Sequence, residues 1–168
     1  MQNHLKEIIY GLCDRGVDFI IGGGVAAVLH GVERVTMDLD IAVDITPANI
    51  AKFKAAMDEL GLKPRVPVAI EKLADPATVR HMIDEKQAVV FSLTDPNNPL
   101  RHLDVFIRPE LTYVALTPHA TTIEAEGRTL RVISASHLLA LKEAIKPARP
   151  KDAMDIAELR TLLKMRHD

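Results

Sequence analysis

The side chains best placed by type and spacing to do chemistry are three aspartates, Asp38, Asp40 and Asp104. Asp38 and Asp40 flank Leu39 in an apolar run continuing through Ile41 and Val43. In a strand, alternate residues share a face, so both carboxylates point one way while Leu39, Ile41 and Val43 point to the core. Two such neighbours repel unless a cation neutralises them, which points to a metal. Asp104 stands in a similar run, with Leu103, Val105 and Ile107 facing in and His102 beside it on the outer face. If the two strands lie side by side, the three carboxylates form one patch. Such a patch can hold two magnesium ions roughly 4 Å apart, suited to activating a hydroxyl and steadying a leaving pyrophosphate.

A glycine run supplies a second half. A strand that enters Gly23-Gly24 and passes into a helix lets backbone N–H groups approach a triphosphate, with the helix dipole adding favourable potential. Gly22, Gly24 and Ala27 also fit a dinucleotide fingerprint, with Asp44 twenty residues beyond Gly24. That alternative leaves the three aspartates unexplained, and the repeated βαβ units it needs do not follow. On spacing alone Asp38 and Asp40 also fit an ordinary solvated strand face. Arg34 and Thr36 read equally as a loop ion pair and turn hydroxyl or as nucleotide contacts. His30 reads as a packing or helix-ending residue, and His102 as either partner or bystander of Asp104.

The elements that must position these groups follow from periodicity and punctuation. A helix is expected over 4–15, stopped by Gly16, then a strand over 18–21 and a short helix over 25–30. A strand over 39–43 precedes a helix over 47–60, with Thr46 as its N-cap, Pro47 first and Gly61 after its end. Residues 63–86 carry three prolines and are expected to hold a strand and one or two short helices. Strands over 88–93 and 102–107 form a hairpin through the turn-rich segment 95–99. Strands over 121–125 and 129–133 form another around Glu126-Gly127-Arg128. Ser136 is read as the cap of a helix over 137–145, and a last helix covers 151–165. The order implies an α/β fold, a mixed β-sheet with flanking helices, and a C-terminal helical part. Residues 1–133 would be the core and 134–168 a helical segment packed on it.

Composition narrows the classes of function. The chain has 168 residues, 48% hydrophobic and 26% charged, as expected of a folded domain with a real core. A net charge of -2 excludes a globally basic nucleic-acid binder, leaving 142–166 as the place for a local basic face. Aromatic residues are 4% with no Trp, too few for a base-stacking platform. Cys13, the single cysteine, falls among apolar helix positions and reads as a small buried hydrophobe. The longest charge-free run, 19–32, is too short to span a bilayer, and the start has no signal-peptide core, so a cytoplasmic location is expected.

Taken together, Gly23-Gly24, His30-Gly31, Arg34, Thr36, Asp38-Leu39-Asp40 and the later Asp104 resemble the signature of the polymerase-beta-like nucleotidyltransferases. The fuller string is similar to the small prokaryotic enzymes related to abortive-infection toxins. A late block agrees: Lys142, then Arg149-x-Lys151-Asp152 and Asp155, resembles that group's helical motif. The resemblance implies transfer of a nucleoside monophosphate from a magnesium-bound nucleoside triphosphate, such as ATP, to an acceptor hydroxyl. The acceptor would be RNA, protein or a small molecule. It implies that Asp38, Asp40 and Asp104 bind two Mg2+ ions and that Asp104 helps deprotonate the attacking hydroxyl. Gly23 and Gly24 would hold the triphosphate, with Lys142 near its phosphates and Asp152 near the site or orienting it. The alternative is a non-catalytic or partner-regulated nucleotide-binding protein that keeps this fold, one half of a toxin–antitoxin-like pair. Residue by residue, Lys142 also reads as a solvent-seeking lysine on a leucine-rich helix, and Asp152 as charge compensation at a helix start.

Overall fold

The computed structural model describes Met1 and residues 3–167. Helix α1 (Asn3–Asp14) buries Leu5, Ile8, Ile9 and Leu12, an i, i+3, i+4, i+7 stripe that faces the sheet. Strand β1 (Phe19–Gly22) is buried along its whole length, as its unbroken apolar run requires of a central strand. It passes directly into α2 (Gly23–Leu29). Strand β2 (Leu39–Val43) and helix α3 (Pro47–Leu60) have the expected bounds. Gly61 closes α3 in the left-handed conformation at φ 73°. Thr46 takes the N-cap position without lending its side chain to the cap.

The middle holds β3 (Lys63–Pro64), a 3-10 turn at Ile70–Ala74, and α4 (Pro76–Asp84), whose first turn is capped by Asp75 accepting from the Ala77 N–H. Strands β4 (Val90–Asp95) and β5 (Asn98–Phe106) form the expected hairpin, but its turn is tighter than expected. Pro99 lies inside β5, where the register shifts near Thr94 and Asp95, and a bulge of this kind asks no ladder N–H of a proline. A short helix α5 (Tyr113–Leu116), not foreseen, leads to β6 (Ala120–Ala125) and β7 (Arg128–Ile133). Glu126 and Gly127 form their two-residue turn at φ 50° and 80°. Helix α6 (Ala135–Glu143) begins two residues earlier than expected. Ser134, not Ser136, caps it by accepting from the His137 N–H. Helix α7 (Pro150–His167) is the last described element.

The seven strands lie in the order β3-β4-β5-β2-β1-β7-β6, with β2–β5 and β1–β7 parallel and the other pairs antiparallel. The antiparallel β1–β2 pair excludes the dinucleotide-binding βαβ unit, in which those strands run parallel. Leu138 of α6 and Leu159 of α7 join the core built on the sheet by Ile20, Ile21, Leu39, Ile41, Leu103 and Val132. No helix among the described residues is long and apolar enough to cross a membrane.

Candidate active site

Strand register assembles the site. Gly22 of β1 stands opposite Asp40 of β2, Asp40 opposite Asp104 of β5, and Asp104 opposite Ser92 of β4. One transverse row of the sheet therefore carries both aspartates, and paired positions in a row share a face. On that face the Ser92 hydroxyl donates to Asp104 Oδ1 at 2.6 Å, and His102 Nε2 lies 2.8 Å from the same oxygen. His102 is thus a partner of Asp104 and not a bystander. Ser92 was not singled out from sequence, and its only signal there was its place in the strand facing Asp104.

Asp40 is partly buried, and burial together with the charges of Asp104 and Asp38 pushes its carboxyl up to about 6. Lys151 and His102 act the other way. Lys151 belongs to the late motif but had no assigned role, and its ammonium bears on Asp40 from the start of α7. Asp38 precedes the first residue of β2 and is exposed. Among the described residues no three His, Cys, Asp or Glu side chains form a ready-made metal cage. Magnesium does not require one, since it commonly takes one or two carboxylates and completes its octahedron with water and substrate phosphates. A carboxylate that is hard to ionise beside two others fits a divalent cation as donor set.

The glycine turn lies over this row. Gly23 has φ 58°, and a Cβ built there would stand 2.2 Å from Asp40 Oδ2. Only a residue without a side chain lets the turn pass so close to the carboxylate. A Cβ on Gly24 would meet Thr36 Oγ1 at 2.7 Å and Arg34 Cζ at 3.5 Å. Arg34 and Thr36 therefore flank the turn. Gly23→Ala is expected to displace Asp40 or the turn, costing about 1–3 kcal/mol of stability and most of any nucleotide affinity. Thermal unfolding and calorimetry would check it.

The late motif forms a buried charge cluster. Lys142 is 8% exposed and does not reach for solvent. Its Nζ lies 3.3 Å from Asp152 Oδ1 and 2.9 Å from Asp155 Oδ2, with both aspartates almost wholly buried. Arg149 also pairs with Asp152, and Arg34 Nη1 donates to Asp155 Oδ2 at 2.6 Å. Asp152 is thus held by two cations, which keep its carboxyl below the usual range against the opposing effect of burial. His30 ends α2, its Nε2 2.7 Å from the Ile133 carbonyl oxygen, and burial depresses its pKa, as befits a packing residue.

This sheet, glycine turn and carboxylate row define a nucleotidyltransferase fold, and solved structures of that class share it. A lincosamide antibiotic adenylyltransferase, LnuA, in its lincomycin-bound form, matches with a TM-score of 0.65 at 18% identity, over 96% of this chain and 98% of that one. The ANT(2'')-Ia structure in complex with adenylyl-2''-tobramycin matches with a TM-score of 0.53 at 17% identity, over 98% and 97%. An antigenic nucleotidyltransferase-like protein from Paracoccidioides brasiliensis matches with a TM-score of 0.56 at 16% identity, over 96% and 75%. No functionally curated protein matches the sequence. The family is settled by sequence: residues 11–167 match the model of the nucleotidyl transferase AbiEii toxin of type IV toxin–antitoxin systems, and the chain belongs to that family.

Proposed function

We propose that the protein transfers a nucleoside monophosphate from a magnesium-bound nucleoside triphosphate to an acceptor hydroxyl, releasing pyrophosphate. The observation that carries this reading is the row Gly22–Asp40–Asp104–Ser92, roofed by the Gly23 backbone. Asp38, Asp40 and Asp104 would hold the metal, and Gly23 and Gly24, flanked by Arg34 and Thr36, would cradle the triphosphate. Bound magnesium supplies the positive charge that steadies the α-phosphate and the departing pyrophosphate. Ser92 and His102 both engage Oδ1 of Asp104. Oδ2 is then the oxygen left to accept the proton of the attacking hydroxyl. The acceptor oxygen bonds to the α-phosphorus as the bond to the β-phosphate oxygen breaks. Family membership and the antibiotic-modifying fold relatives support this class of reaction.

The biological setting we infer is that of a toxin in the cytoplasm, controlled by a cognate antitoxin-like partner, as the family description suggests. Acceptor candidates are RNA, protein or a small molecule. The test is incubation with each labelled ribonucleoside triphosphate, with and without magnesium, and separate RNA, protein and small-molecule fractions. Metal-dependent labelling of one fraction is expected. A parallel melting experiment should show stabilisation by magnesium with a triphosphate, rising with ligand concentration by mass action, and none by NAD. Stabilisation by NAD alone would refute the reading.

A further inference from the structure

Residues 32–38 have no regular secondary structure, yet they carry Arg34, Thr36 and Asp38 past the glycine turn. Helix α7 holds the entry to this strap and its first residues, while His4 of α1 lies 3.1 Å from the Met37 carbonyl oxygen at its other end. The Arg166 guanidinium donates to the His30 carbonyl oxygen at 3.0 Å, Leu162 packs under Gly31, and the Glu33 N–H donates to Glu158 Oε2 at 2.9 Å. Asp155 completes the series by accepting from Arg34. Positions 155, 158, 162 and 166 recur at helical spacing, so one face of α7 runs antiparallel to the strap.

Asp155 differs from the other tethers. It is 1% exposed, and its Oδ2 faces both Arg34 Nη1 and Lys142 Nζ. Arg34 uses one terminal nitrogen on Asp155, while Nε reaches the Val35 carbonyl only at 3.5 Å. Its other terminal nitrogen has no partner among the described residues, and Cζ lies 3.5 Å from where a Gly24 Cβ would be. A guanidinium is a planar fork, so anchoring one arm fixes the direction of the other.

We propose that Asp155 is a positioning residue: it anchors one arm of Arg34 so that the other presents its N–H groups to a phosphate on the Gly23-Gly24 turn. This deepens the nucleotidyl-transfer reading and rests on it. Asp155 itself would touch no substrate. The fixed arm gives a bidentate or charge-assisted contact to phosphate without the entropy of ordering a free arginine on binding. It also places the helical block at the far end of the chain in mechanical contact with the triphosphate turn.

The test is calorimetric titration of wild type, Arg34→Gln, Asp155→Asn and the double variant with magnesium and each of ATP, GTP, CTP and UTP. Melting curves establish that each variant is folded at the titration temperature. Asp155→Asn is expected to weaken binding about tenfold, Arg34→Gln by at least as much, and the double variant no more than Arg34→Gln alone. A merely structural role would instead add its effect in the double variant. Asp155→Glu keeps the charge facing Lys142 and Arg34 but moves it by one methylene. It should also weaken binding, and it carries the test if Asp155→Asn does not fold. Wild-type affinity in the folded Asp155 variants, or full additivity, overturns the positioning role alone. Wild type binding none of the four triphosphates overturns the functional reading and this inference with it.

Discussion

Asp40→Asn is expected to abolish nucleotidyl transfer while making the metal-free protein more stable. The carboxyl of Asp40 is pushed up to about 6 by burial and by the charges of Asp104 and Asp38, from an ordinary 3.8. In the unfolded chain it ionises near 3.8, so between about pH 4 and 6 the folded state binds more protons. Stability therefore falls as pH rises through that window and is level above it. That difference in pKa corresponds to roughly 3 kcal/mol, less whatever water screens on the exposed side. Asparagine removes the charge and most of this penalty, so the melting temperature at pH 7.5 should rise by several degrees. Transfer should fall by at least about 10³-fold, because an amide cannot help neutralise a divalent cation beside two carboxylates. Magnesium should stabilise wild type more at pH 7.5 than at pH 5 and should do little for the variant. A variant of unchanged or lowered stability would show that the three carboxylates are not a strained cluster awaiting a cation.

Legibility in the sequence tracked how local each cause was. Strand 39–43 and helix 47–60 were readable to the residue because Pro47 and Gly61 punctuate the helix from within its own segment. Two serines two residues apart, Ser134 and Ser136, give α6 two candidate caps in the sequence, and Ser134 is the one used. The choice between them is made by β7, which ends at Ile133, and by the His119 carbonyl, which takes the Ser134 N–H. Helix α5 is four residues long and leaves no periodicity to detect. In the site, Asp38, Asp40 and Asp104 are marked by a charge set among apolar neighbours, whereas Ser92, though flanked by Phe91 and Leu93, carries no charge to single it out. Its role comes from register with Asp104 alone. The tie between Arg34 and Asp155 joins residues 121 positions apart, and no local pattern can announce that.

The buried charge cluster should dominate the stability of the C-terminal helices, and Lys142→Met is the variant that exposes this. Methionine keeps an unbranched apolar stem of similar reach, so the packing of α6 on α7 is largely retained and the change is one of charge. Without the ammonium, Asp152 keeps Arg149 and Asp155 keeps Arg34, but each buried carboxylate has lost its shared partner. Arg149 is half-exposed at its side chain, so water screens its compensation of a wholly buried Asp152. Removing one member of a buried ion cluster costs about 3–5 kcal/mol, because the remaining charge is left under-compensated. For a chain of this size that corresponds to a fall of roughly 6–15 °C in melting temperature. Adding Asp152→Asn in the Lys142→Met background should recover part of the loss, since the charge left stranded is then removed too. Chemical denaturation of the two single variants and the double variant measures the coupling directly. If Lys142→Met melts like wild type, the cluster holds no net stability, and its burial costs as much as its ion pairs return.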